Sequence, residues 1–304
     1  MNIREIKKIC KENDFVPLRR RGQNFLINPK VIERIIDVAE IKRDDIILEV
    51  GPGLGALTED IANKCQKVIA VEIDKKLVES LTKRLSDYTN IEIIKGSILD
   101  GISNLNLEAK KYKVIANLPF NITGRVLRIL LASKNKPELI VVVVQEEVAQ
   151  RIISQPPSMS LLSLAIQFYS QVNAVFNINK SNFWPQPRVD STILKIKPNK
   201  SKIKREIENK FFQLIKAGFS SKRKYLLNNL VKSVIIQDIK CKKQETRNKK
   251  QTITNNQITN NQTNYSISPE KEIFLEIFRE IGLNEKVRAQ ELSPEQWIQL
   301  ANKI

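Results

Sequence analysis

One stretch limits what this chain can fold into more than any other: Glu49-Val50-Gly51-Pro52-Gly53-Leu54-Gly55. The apolar run Ile46-Ile47-Leu48 leads into it, and the spacing beyond predicts a helix over 56–63. A buried strand, a glycine turn and a helix in succession let the backbone approach a ligand closely at the helix start. Alone, such a turn is a weak signal. A second strand, Val68-Ile69-Ala70-Val71, follows and ends in Glu72. An acidic residue about twenty positions past the turn can accept hydrogen bonds from a ribose diol. A strand-end cap is the plainer reading of the same residue. Pro52 and the early third glycine depart from the dinucleotide spacing G-x-G-x-x-G, and Glu49 suits a cationic ligand better than a pyrophosphate. The pattern favours S-adenosylmethionine over a nicotinamide dinucleotide.

The same alternation continues. A third strand over 91–94 ends at Lys95-Gly96-Ser97, and a fourth, Val114-Ile115-Ala116, breaks at Asn117-Leu118-Pro119-Phe120. A helix over 124–133, a fifth strand over 139–144 and helices over 145–153 and 158–171 come next. Strands over 174–178 and 192–196 flank Phe183-Trp184-Pro185-Gln186-Pro187-Arg188. That connection is too short for a helical crossover, so this pair should be antiparallel. The expectation is an α/β fold, a Rossmann-like open sheet of seven strands with helices on both faces. Gly51, Glu72, Ser97 and Asn117 then stand at four strand carboxyl ends, where such sheets bind ligands.

Asn117 to Phe120 carry their own chemistry. Pro119 bars further sheet pairing and biases Leu118 toward an extended conformation. The turn presents an amide, free carbonyls and an aromatic ring. The Asn117 oxygen and a backbone carbonyl can accept the two hydrogens of an exocyclic amine, and Phe120 offers a stacking face. A structural Asn-Pro turn is the plainer alternative. Upstream, Arg19-Arg20-Arg21 runs into Gln23-Asn24-Phe25-Leu26, ahead of a helix opened by Pro29. Asn24 and Leu26 are placed to reach back over a ligand held by the glycine turn.

From about residue 200 the strand pattern stops. Helices are expected over 207–217 and 222–234, then a disordered insertion over 240–264, rich in Lys, Asn, Gln and Thr. Ser268-Pro269 restarts a helix that Gly282 ends, and Ser293-Pro294-Glu295-Gln296 resembles a capping box. The expected domains are 1–199, binding the ligand, and 200–304, small and helical.

Composition narrows the chemistry. Lys and Arg number 51 against 33 Asp and Glu, a net charge of +18 that favours a polyanionic partner. There is no histidine, which removes the usual general base and the commonest metal ligand. Cys10, Cys65 and Cys241 lack metal-site spacing and read as free thiols of a reducing compartment. No apolar signal segment or membrane-length run is present, so the cytoplasm is expected.

Together these motifs resemble the small-subunit ribosomal RNA adenine dimethyltransferases nearly end to end. Gln23-Asn24-Phe25-Leu26, the run 49–58, Val71-Glu72-Ile73-Asp74, Asn117-Leu118-Pro119-Phe120, the run 183–191, Lys222-Arg223-Lys224 and the run 288–293 all look like family motifs. The resemblance implies a seven-stranded S-adenosylmethionine-dependent methyltransferase sheet with a small helical RNA-binding domain. It implies donor contacts at Asn24, Leu26, Gly51, Glu72, Ser97 and Asn117, and catalytic roles for Asn117, Leu118, Pro119 and Phe120. Lys222, Arg223 and Lys224, read at the start of a helix, would hold RNA, although solvated lysines there are common. It further implies dimethylation of two adjacent adenosines near the 3′ end of small-subunit RNA, no metal, a monomer, and no membrane association. The chain departs from the family at Ser97, usually Asp; at Phe120, often Tyr; and at Glu146, usually basic. The rival readings are a large-subunit adenine methyltransferase of the macrolide-resistance type, a DNA adenine methyltransferase, and a non-catalytic RNA-binding assembly factor.

Overall fold

The computed structural model describes residues 1, 3–18, 22–105, 107, 111–119, 121–200, 203–233 and 268–304. Arg19 to Arg21, Phe120 and the expected insertion at 240–264 lie outside the described residues. The chain divides into two compact units, Met1–Ile153 with Ile166–Lys200, and Ser154–Ala165 with Ser201–Ile304. Residues 154–165, expected in the first domain, thus group with the second.

The first unit is built on seven strands: β1 Ile46–Val50, β2 Lys67–Glu72, β3 Ile91–Lys95, β4 Lys113–Asn117, β5 Leu139–Gln145, β6 Ser170–Ile178 and β7 Ser191–Pro198. Their order is β3-β2-β1-β4-β5-β7-β6. The first five are parallel, and β7 runs antiparallel to both β5 and β6. The order reverses between β1 and β4, which places the crevice of an open sheet beside the ends of those two strands.

Burial explains why the central strands read as continuous apolar runs. Ile47, Ile115, Val141 and Val143 share a core with Ile32, Ile35 and Ile36 of the helix Pro29–Val38 and with Ile61 of the helix Thr58–Ala62. The alternate residues Leu48, Val114, Ala116 and Val142 point to the other face and are buried as well. The helix Pro29–Val38 starts as expected, with Asn28 accepting from Lys30 N and Pro at its first turn.

Three local expectations need correction. The helix after the glycine turn is shorter than 56–63: turns continue through Leu57, and only Thr58–Ala62 is helical. The helix expected over 158–171 is confined to Leu161–Gln167, because strand β6 begins at Ser170 rather than 174. A register shift between Ala174 and Phe176 breaks the alternation that would have revealed it. Lys222, Arg223 and Lys224 do not begin a helix. They lie in a turn closed by Lys224 N on Ser221 O, ahead of the helix Leu226–Val231, whose extended N-cap is Tyr225.

The second unit holds that helix with Arg205–Gly218, Pro269–Glu280 and Pro294–Lys303. Phe211, Leu214, Leu230, Phe274, Phe278, Trp297 and Leu300 are fully buried. Gly218 has no room for a side chain, since a Cβ would stand 2.5 Å from Trp297 Cη2. The capping box is present: Gln296 N donates to Ser293 Oγ and Ser293 N to Gln296 Oε1.

Candidate functional site

A cavity of about 330 Å³ opens at the carboxyl ends of the parallel strands. Asn24, Leu26, Gly51, Glu72, Ser97, Asn117 and Pro119 all line it. Residues from five separate segments converge there, four of them because parallel strands end on one edge of the sheet.

The glycine turn forms the floor. Gly51, Gly53 and Gly55 all have φ between 62 and 76°, the left-handed region that side chains avoid. Their reasons differ. At Gly53 a Cβ would meet the Phe25 ring at 2.9 Å, so close packing excludes a side chain. At Gly51 nothing lies within 4 Å, and a Cβ would project into open space. That opening fits a ligand brought against the backbone, in keeping with an adenosyl donor.

Glu72 ends β2 almost buried, with both oxygens engaged. Gly53 N donates to Oε2 at 3.1 Å and Asp74 N to Oε1 at 3.0 Å. A carboxylate has about four acceptor positions, so roughly two remain for a ribose diol. Burial raises its pKa, against the pull of these backbone amides. Ile73 beside it is 65% exposed while lining the cavity. An apolar residue displayed there suits a flat aromatic ring. The apolar run of β2 ends at Glu72, so spacing alone did not mark Ile73.

Glu49, next to the turn, is fully buried, and its Oε2 has no hydrogen-bond partner. Burial pushes its pKa up to about 8, with the Glu72 charge adding and the Thr58 hydroxyl and Arg84 opposing. Thr58 Oγ1 is likewise buried without a partner of good geometry.

Asn117 closes the opposite wall. Its Nδ2 donates to Asn24 O at 2.8 Å, which fixes the amide and leaves Oδ1 to accept. Leu118 is buried, with its amide on Val143 O. The Pro119 carbonyl accepts from Ile122 N and Thr123 Oγ1. Ser97 caps a short turn at Ile98–Asp100, accepting from Leu99 N at 3.2 Å.

Asn24 and Leu26 are held over the cavity by a device not anticipated from the sequence. Phe25–Leu26 pairs antiparallel with Phe183–Trp184, and Ile27 N donates to Asn182 O. The Pro-rich motif therefore anchors the segment above the glycine turn. A pairing of two residues a side is too short to leave a periodic signal. Lys222, Arg223 and Lys224 lie in the second unit, all exposed.

Known proteins bear on this arrangement. The ribosomal RNA adenine dimethylase family pattern matches residues 18–268. A ribosomal RNA small subunit methyltransferase A from Dehalococcoides mccartyi strain CBDB1 is 42% identical over 215 residues, 70% of this chain and 74% of that protein. Another protein of that name, from Bacillus mycoides strain KBAB4, is 33% identical over 306 residues, 98% of this chain and 94% of its own. The crystal structure of a dimethyladenosine transferase from Plasmodium falciparum superposes with a TM-score of 0.72 at 27% identity, covering 91% of this chain and 95% of that one. The 23S rRNA methyltransferase ErmE reaches 0.66 at 21% identity, covering 92% and 99%, a likeness of fold. With the Rossmann-like sheet, the strand-end cavity and these relatives in place, the chain belongs to the ribosomal RNA adenine dimethylase family.

Proposed function

We propose that this enzyme dimethylates the exocyclic amines of two adjacent adenosines near the 3′ end of small-subunit ribosomal RNA. The observation that carries the site assignment is the Asn117 amide, pinned by its donor and left with its acceptor free at the cavity wall. S-adenosylmethionine, when bound, supplies an electrophilic methyl group. Glu72 would take the ribose diol, Gly51 admit the donor against the backbone, and Asn24, Leu26 and Ser97 enclose it.

An adenine amine is a poor nucleophile because its lone pair is delocalised into the ring. Asn117 Oδ1 and the Leu118 carbonyl, each accepting one amine hydrogen, would turn the lone pair toward the methyl group. Pro119 stiffens the turn, and Phe120 is proposed, on its sequence position, as the stacking face. The base must leave its stack to enter, which suits a loop or junction in RNA.

Residues 200–304 are proposed to hold RNA through Lys222, Arg223 and Lys224. Their place in an exposed turn removes the cost of cations at a helix start and leaves them open to phosphate. The net charge of +18 supports a polyanionic partner. The names of the relatives, over 98% of this chain in one case, support small-subunit ribosomal RNA as that partner, and the immature small ribosomal subunit is proposed as the particle that presents it. A single copy of the chain is proposed to act there, in the cytoplasm.

The test is methyl mapping of small subunits incubated with the purified chain and S-adenosylmethionine. Dimethylation of two neighbouring adenosines near the small-subunit 3′ end is expected. Methylation of large-subunit RNA alone would overturn the substrate assignment.

A further inference from the structure

The third glycine of the turn points to a residue that the cavity does not contain. A Cβ on Gly55 would stand 2.3 Å from Arg84 Nη2 and 2.6 Å from Leu81 Cδ2. Gly55, whose φ of 76° already disfavours a side chain, leaves a space that the Arg84 guanidinium occupies. Arg84 is the last residue of the helix Lys75–Arg84, and its side chain is 27% exposed. Nη2 donates to Leu54 O at 2.6 Å, and Nη1 reaches Glu59 Oε2 at 3.4 Å. The other oxygen of Glu59 accepts from Tyr88 Oη at 3.2 Å. Leu54 itself is buried, lines the cavity and packs in a cluster with Phe25 and Leu77.

We infer that Arg84 is a positioning residue for the methyl donor, a strut that clamps the outer side of the glycine turn while its inner side faces the cavity. The fork geometry matters: one arm turns the Leu54 carbonyl outward, and the other ties the turn to the helix that follows it, through Glu59. With the carbonyl held outward, the Gly51-Pro52-Gly53 face stays open to a ligand. Bonds from Gly51 N to Val71 O and from Gly53 N to Glu72 Oε2 fix the inner side of the turn, and Arg84 supplies the hold on its outer side. Glu5, Glu49, Glu59 and Tyr88 are the titratable groups whose charges act on Arg84. Arg84 lies beyond the reach of the turn-and-acid pattern, on the far end of the next helix.

The inference rests on the proposed donor site, and two measurements separate the two ideas. Hydrogen exchange of the full chain without ligand reads the strut alone. Arg84→Met should speed exchange of the Gly55 amide, which donates to Pro52 O in the clamped turn, by roughly tenfold. Titration with S-adenosylmethionine reads its consequence. Arg84→Met should raise the donor Kd and KM by roughly tenfold while kcat at saturating donor stays within about twofold. Arg84→Lys should fall between, since one ammonium cannot serve Leu54 O and Glu59 in the same fork. If Arg84→Met proves unfolded, the lysine variant carries the test. Unchanged exchange at Gly55, or a fall in kcat with KM unaltered, would overturn the strut. Faster exchange in a protein whose wild type binds no donor would uphold the strut and remove the donor site instead.

Discussion

The two edges of the sheet treat their polar groups in opposite ways. At the amino ends of the strands three ion pairs join charges of opposite sign. Lys113, the first residue of β4, donates to Asp45 Oδ2 at 2.7 Å, both side chains nearly buried, and also to Glu40 O. Glu40 is paired with Lys195, and Lys67 with Glu92 at 2.6 Å. At the carboxyl ends the polar groups are left partly open. Glu49 Oε2 is buried with no hydrogen bond of good geometry, Glu72 retains acceptor capacity, and Asn117 has bound only its donor. The same strands supply both edges, so strand composition does not explain the difference. A buried group left unsatisfied costs free energy in the empty protein, and a ligand that satisfies it recovers that cost. At these two edges the paired groups hold the fold together and the open ones border the cavity.

The sharpest way to break this contrast is to exchange the consequences of mutation at the two edges. Lys113→Ala would leave the nearly buried Asp45 carboxylate with the Lys42 amide as its remaining partner and should cost about 3 kcal/mol of stability, the low end for a broken buried pair. Donor affinity of the folded protein should not change. Denaturant unfolding with a parallel donor titration checks both, and lost affinity at intact stability would invert the comparison. Asn117→Ala should do the reverse. Stability should hold, RNA affinity should be nearly unchanged, and single-turnover methylation should fall by about 10²–10³-fold, as for loss of one aimed hydrogen-bonding group. Asn117→Asp should fare no better, because a carboxylate cannot donate to Asn24 O.

Most of the saturated architecture was legible in the sequence, because long-range burial writes itself as period. The runs Ile46-Ile47-Leu48 and 139–144 could only be buried strands, and Ser293 with Gln296 announced their capping box. The site was legible where a residue type is forced by local geometry, as at the glycines, Pro119 and the acidic strand end. It was illegible where the partner is distant in sequence. Nothing in Phe183-Trp184 states that it pairs with Phe25-Leu26, nor does Arg84 declare that it fills the space Gly55 leaves. The basic trio was misplaced on a helix for a related reason. The bond from Leu226 N to Val287 O, which sets where the helix starts, depends on tertiary context and not on propensity.

Glu49 sharpens the contrast through pH. Its pKa is raised from 4.5 to about 8 by burial, so the folded state holds a proton the unfolded state releases. The stability tied to that proton is complete below pH 4.5 and is lost as pH rises through about 8. Glu49→Gln keeps a neutral side chain throughout. Its stability relative to wild type should grow with pH across this window, by a few kcal/mol and at most about 5. Parallel melting curves for the two proteins would show that the buried carboxyl ionises without penalty. Glu72→Ala should act on binding, weakening S-adenosylmethionine by roughly 1–3 kcal/mol in a calorimetric titration. Unchanged affinity would remove Glu72 from the donor site and leave it as a brace for Gly53 N.

The smallest expected effect tests where the boundary between saturated and open groups runs. Ser97 stands on the cavity wall, yet its hydroxyl already accepts from Leu99 N and caps the turn Ile98–Asp100. Aspartate caps such turns as well as serine does, so Ser97→Asp should keep this bond and the turn. Its second oxygen would then face the cavity, free to accept from the exocyclic amine of the donor's adenine. The gain is a charge-assisted hydrogen bond, opposed by like charge on Asp100 and Glu72 and by desolvation of the new carboxylate. The net should be a tightening of no more than about 1 kcal/mol, seen by calorimetry for S-adenosylmethionine and its demethylated product alike, since both carry the adenine. Tightening of the donor alone would trace the effect to the sulfonium charge rather than to the amine. Unaltered or weaker affinity for both would assign Ser97 to the turn, a satisfied group that merely borders the open edge.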